Sequence, residues 1–122
     1  MNSVFINHTN HSFDKWSAEE KYAAEKIGSV HDYMFPDIDP AWDEIHIKQL
    51  ARKNGEKIIA LKPAAVLCQG EFTYCFALVT YLKEKGIPVL AACSKRESKE
   101  WRDDNGALVK NSVFKFVKFR SY

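Results

Sequence analysis

The chain is short of the residues that break or staple a fold. Five glycines and four prolines among 122 residues are too few for a flexible linker or a low-complexity region. Three cysteines, an odd number without C-x-x-C spacing, supply neither a disulfide framework nor a zinc site. Cys68, Cys75 and Cys93 stand in apolar contexts and are expected to be buried free thiols, which suits a reducing cytoplasm. No run approaches the roughly 18 apolar residues of a membrane span, and the charged-then-apolar layout of a signal peptide is missing. The expectation is therefore a soluble cytoplasmic protein with no membrane partner. An excess of one charge is also missing, since 18 basic and 16 acidic residues leave only +2. That balance is too even for a long nucleic acid as main partner. Neither G-x-G-x-x-G nor G-x-x-x-x-G-K-[ST] occurs, so no nicotinamide or ATP site is indicated and no cofactor is expected.

What is present is the balance of a globular protein, with 46% apolar residues of which aromatics form a large share. The length suits one core, so a single domain over residues 1–122 is expected. Basic charge gathers late in the chain: Lys95, Arg96, Lys99 and Arg102 fall close together, and Lys110, Lys115, Lys118 and Arg120 follow with no acid among the last thirteen positions.

Apolar runs at Val4–Asn7, Val30–Phe35, Ala64–Cys68 and Pro88–Cys93 read as strands. Between them, Ser17 with Glu20 forms a capping-box pattern ahead of a helix that Gly28 stops. A second helix runs from about Trp42 to Pro63, with Asn54-Gly55 as a point where it could kink or split, because glycine costs about 1 kcal/mol in a helix interior. A third carries Phe72, Cys75, Phe76, Val79 and Leu82 on one face, with Gly86 suited to its C′ position. Asn105-Gly106 is a hairpin signal before the β-prone segment Ser112–Tyr122. The order predicts an α/β fold: a Rossmann-like three-layer sandwich with a mostly parallel sheet of about five strands, the last antiparallel.

In such sheets ligands bind at the carboxyl ends of the strands. That rule gives the polar residues one address: Asn7-His8 after the first strand, Gln69-Gly70-Glu71 and Thr73 after the third, and Ser94-Lys95-Arg96 after the fourth. His8 and His11 could move protons, since imidazole titrates near neutrality, or could simply cap a helix or face solvent. A metal site is not indicated, because H-x-x-H is not the helical i, i+4 pair and no third ligand is evident. Glu71 either complements the dipole of the following helix or contacts a ligand. Gly70 lets backbone approach a ligand, and Lys95 and Arg96 can neutralise phosphate or form a solvated charge run. The aromatics of the last strand suit a core or dimer interface better than a base platform.

The stretches "VFINHTNHSFDKW", "DYMFPDIDP", "AAVLCQGEFTYCFALVTYLKEKGIPVLAACSKR" and "SVFKFVKFRSY" together resemble small stand-alone CRISPR-associated accessory proteins of the ring nuclease type. These are relatives of Rossmann-like domains that bind cyclic oligoadenylates. The resemblance implies an enzyme that cleaves a cyclic oligoadenylate messenger, with cyclic tetra-adenylate the expected ring, by metal-independent attack of a ribose 2′-hydroxyl. It implies His8, His11 and Glu71 as catalytic candidates. Asn7, Asn10, Gln69, Gly70, Thr73, Ser94, Lys95 and Arg96 would hold the ligand, and a homodimer would present two half-sites. A non-catalytic sensor or sponge for the same ligand, or a small nucleotide hydrolase or transferase, is the alternative.

Overall fold

The strand best shielded from water sets the centre of the sheet. The computed structural model describes residues 3–122, so Met1 and Asn2 of the domain expected over 1–122 lie outside the described residues. Its elements are β1 (Val4–His8), a 3-10 turn at Phe13–Lys15, α1 (Ala18–Glu25), β2 (Ser29–Asp32), α2 (Glu44–Ala60), β3 (Ala65–Cys68), α3 (Phe72–Glu84), β4 (Val89–Arg102) and β5 (Leu108–Ser121). β3 is buried at all four positions, as a continuous apolar run between two neighbours should be. The order across the sheet is β2-β1-β3-β4-β5. The first four strands run parallel and β5 returns antiparallel to β4.

Alternate residues of the strands feed two apolar clusters. Ile6, Val66, Cys68 and Val89 meet Ile47, Ala51 and Ile58 of α2 and Tyr74, Leu78 and Leu82 of α3. Phe5, Ala65, Leu67 and Leu90 meet Trp16 and Ala24 of the α1 segment, with Phe119 of β5 packed alongside. The expected α/β class, the mostly parallel sheet of five strands and the antiparallel last strand are what the structure has. No helix among the described residues is long and apolar enough to cross a membrane.

The boundaries differ where local chemistry outruns hydrophobic pattern. β2 stops at Asp32 instead of reaching Phe35, whose ring turns inward to lie on Gly70. α2 is unbroken through Asn54-Gly55, and Gly55 is buried there because a Cβ would come within 2.5 Å of Tyr81 Cδ1 on α3. α3 ends as anticipated at Gly86 (φ 77°), where Gly86 N donates to Lys83 O and Ile87 N to Leu82 O, a Schellman stop.

The largest departure is β4. It does not stop at Cys93 but continues nine residues to Arg102, paired throughout with β5. β3 pairs with β4 only at Val66–Val89 and Leu67–Leu90, so most of β4 and β5 forms a two-stranded arm beyond the sheet. A register shift at Cys93/Ser94, with Val117 the additional β5 residue, marks its root. The Asn105-Gly106 hairpin is present, with Gly106 at φ 79° and the Asp103 carboxylate accepting from Asn105 N and Ala107 N.

Candidate functional site

The β1 end divides its two most polar residues between opposite sides of the sheet, as pleating requires. His8 points toward α2 and α3 and is fully buried, with its ring packed against Tyr33, Phe35 and Tyr74. Its Nδ1 lies 2.8 Å from the Tyr33 carbonyl and its Nε2 2.7 Å from the Tyr74 hydroxyl. A carbonyl only accepts, so Nδ1 carries the proton and Nε2 accepts from Tyr74, whose oxygen in turn accepts from the Asn54 amide at 3.0 Å. Burial pushes the His8 imidazole below its usual value, against the smaller opposing effect of the Tyr33 hydrogen bond. His8 is thus a neutral core residue and not a group on the rim.

Asn7 faces the α1 side and is equally buried. Its amide donates to His11 O and to Asp32 Oδ1, both at 2.8 Å, while its own oxygen accepts from the Thr9 hydroxyl. The His11 carbonyl also accepts from Trp16 Nε1 at 3.0 Å. The NHTNH segment is therefore a braced turn, and Asn7 is its brace. What the brace leaves outside is the exposed pair Asn10 and His11.

Those two residues border a cleft of about 480 Å³ on the α1 side, reaching from the NHTNH turn past Gln69-Gly70 to Ser94 and the arm. Here the strand order reverses, between β1 and β3, as expected for a ligand crevice. The Gln69 side chain stitches the splayed strands together, with Oε1 accepting from Ala92 N at 2.9 Å and Nε2 donating to Ala92 O at 3.4 Å. Gly70 serves close packing, since a Cβ there would collide with Phe35. Of the residues expected at the rim, Asn10, His11, Gln69, Gly70 and Ser94 do share this cleft.

The others do not. Glu71 is the N-cap of α3: its carboxylate accepts from the Thr73 hydroxyl and from the backbone N–H groups of Thr73 and Tyr74. The Thr73 hydroxyl, then those amides, hold its carboxyl below the usual carboxylate range. Glu71 and Thr73 complete each other, and Glu71 borders a separate shallow depression beside Asp37. Lys95 and Arg96 are neighbours within β4 and so project from opposite faces of the arm. Arg96 lies on the cleft side, opposite Phe114, and donates to Ser112 Oγ; Lys95 lies on the other side, opposite Lys115.

Among the residues that join the cleft without having been singled out as ligand groups are Lys15, Glu20, Phe114 and Phe116. The Ser17 hydroxyl caps α1 by accepting from Glu20 N, as the capping-box pattern foretold. The Glu20 carboxylate half-buries at the cleft wall, where lost hydration raises its pKa. A capping pattern conceals such a role because it accounts for the glutamate locally. Phe114 is 70% exposed, an apolar ring turned toward the opening.

Among the described residues no group of three or more His, Cys, Asp or Glu is placed to hold a metal ion. Cys68 and Cys75 are buried with sulfurs 3.6 Å apart, and Cys93 is half-buried, not buried as expected. One family model, described as "Uncharacterized protein MJ1673 family", matches residues 3–120. No curated protein and no solved structure matches the chain.

Proposed function

The chain belongs to the Uncharacterized protein MJ1673 family, a description that assigns no activity, and from the geometry of the His11 cleft we propose that the protein is a ring nuclease acting on cyclic oligoadenylate. The observation that carries the reading is the convergence, in one cleft at the strand-order reversal, of an imidazole, a desolvated carboxyl, a lysine and two aromatic rings. Each has a role in opening a phosphodiester. His11 takes the proton of a ribose 2′-hydroxyl, and the 2′-oxygen attacks the adjacent phosphorus. A 2′,3′-cyclic phosphate forms, the P–O5′ bond breaks, and Glu20, protonated more readily because it is desolvated, supplies the proton to the departing 5′-oxygen. Lys15 offsets charge building on the phosphate, Phe114 and Phe116 stack an adenine, and Asn10, Gln69 and Ser94 offer hydrogen bonds to base or ribose.

The same reading takes the fold as a Rossmann-like three-layer sandwich, supported by the apolar cluster on each face of the sheet. At 480 Å³ the cleft is near the small end of ligand sites, roughly 300–1,000 Å³. It suits part of a ring such as cyclic tetra-adenylate, so a symmetric homodimer would offer two half-sites to one molecule. A cytoplasmic location follows from the messenger. Glu71 is committed to capping, which weakens the alternative of a nucleotide hydrolase built on it.

The test is incubation with cyclic tri-, tetra- and hexa-adenylate, with and without EDTA, followed by chromatography of the products. The expected result is an EDTA-insensitive linear product ending in 2′,3′-cyclic phosphate. His11→Ala should slow it roughly 100- to 10,000-fold. Glu20→Gln should also slow cleavage while raising stability near pH 7, because a carboxyl with a raised native pKa favours the fold only when protonated and loses that contribution as pH rises. Tight binding without cleavage would replace the enzyme by a sensor or sponge, and absence of binding would end the reading.

A further inference from the structure

The arm has a second face, turned away from the cleft, and its composition is different. Pleating sends Lys95, Lys99 and Trp101 of β4 to the side that also receives Val89, buried against α3. Register brings Lys115 opposite Lys95, Lys118 opposite Cys93 and Arg120 opposite Ala91 on that same side. Five cations thus share one face with a single acid, Glu97, and all five are exposed. None takes part in an ion pair among the described residues, where the arm's one pair, Lys110–Glu100, belongs to the other face.

From Ala91 to Lys99 the stripe covers eight residue-to-residue steps, roughly 26 Å at about 3.3 Å per step. Two of its members, Lys95 and Lys115, are direct cross-strand partners, an arrangement that costs stability through like-charge repulsion. Lysines that only keep an edge strand from aggregating would not need to face one another. Beyond the cations, on the same face, Trp101 leaves 47% of its surface open beside Val109.

We infer that this face binds the phosphate backbone of a single-stranded nucleic acid, with Trp101 stacking on a base. A row of cations tracking a backbone with an exposed indole at one end is how sequence-tolerant single-strand binding is assembled. The site is separate from the His11 cleft and independent of what that cleft binds. The near-neutral total charge hides it, because the pleat sorts the charges by face.

Fluorescence anisotropy of the full chain with labelled 20-nucleotide single-stranded RNA, single-stranded DNA and duplex DNA at 50 to 200 mM salt tests the proposal. Single strands should bind, weakening with salt at a slope of about 0.7 per phosphate contact, and the RNA and DNA arms identify the natural strand. Lys95→Glu should weaken binding about tenfold or more. It should leave the melting temperature unchanged or higher, because the new glutamate faces Lys115. Trp101→Ala should lower affinity without altering the salt slope, and Lys110→Glu on the opposite face should leave affinity within about twofold. No binding at 50 mM salt would overturn the inference. So would equal losses in Lys110→Glu and Lys95→Glu, preference for duplex, or binding only to vesicles containing phosphatidylserine.

Discussion

A histidine whose ring nitrogens are both engaged by neutral partners behaves as a directional apolar residue. His8 is in that state, between the Tyr33 carbonyl and the Tyr74 hydroxyl, and His8→Ala should cost about 2–4 kcal/mol by leaving a cavity and two polar groups unpaired. The native pKa is depressed, so between that value and about 6.5 the unfolded chain takes up a proton that the native one refuses. The contribution of His8 is therefore complete above about pH 6.5 and is lost as pH falls. Urea unfolding at pH 7.5 and 5.5 should show the gap between wild type and His8→Ala narrowing at the lower pH; a gap that widened would mean that His8 is charged in the fold. The position of His8 at the end of a strand was legible in the sequence, although the expected rim location was not where the side chain went. Its burial was not legible, because it depends on Phe35 turning inward and on Tyr74 and Asn54 arriving from two different helices.

At the scale of an element, Gly55 reverses the usual expectation for a glycine in a helix. Alanine in its place would ordinarily add up to about 1 kcal/mol. Here the Cβ would press on the Tyr81 ring, so Gly55→Ala should instead destabilise by about 1–3 kcal/mol. Urea midpoints decide the sign, and Tyr81→Leu in the same chain should recover part of the loss. Helix ends were readable because caps are local: Ser17, Gly86 and the glutamate at position 71 act within a few residues of themselves. β4 was readable only to Cys93, where its apolar run ends. Beyond it the strand is wet on both faces, and a strand without a buried side has no hydrophobic alternation to reveal it.

For the molecule as a whole, the two apolar clusters end at Ala92 and Phe119, and the arm lies outside both. A two-stranded ribbon is marginal alone, so the arm draws its order from its root and not the reverse. Replacing residues 95–115 by an Asn-Gly turn should leave a cooperative thermal transition lowered by no more than about 5 °C. On the two proposals above, adenylate cleavage and single-strand binding should both fall, since each proposed site uses one face of the arm. Loss of cooperativity would instead make the arm part of the core. Sheet class and the antiparallel return were available from the order of elements. The separation of Lys95 from Arg96 required only the pleat once strand limits were known, whereas that of His8 from His11 depends on the turn that Asn7, Thr9 and Trp16 brace beyond β1.

The pleat also dictates which length changes the arm can inherit. Removing two residues from each strand shortens the reach while every side chain keeps its side. Removing one residue from β4 between Ser94 and Lys99 turns over every β4 residue beyond the deletion, carrying Lys99 to the cleft-side face and Glu100 to the cationic one. Natural variation in this arm should therefore come in even steps per strand. An odd step should appear only where a compensating bulge, like the one at Val117, restores the alternation.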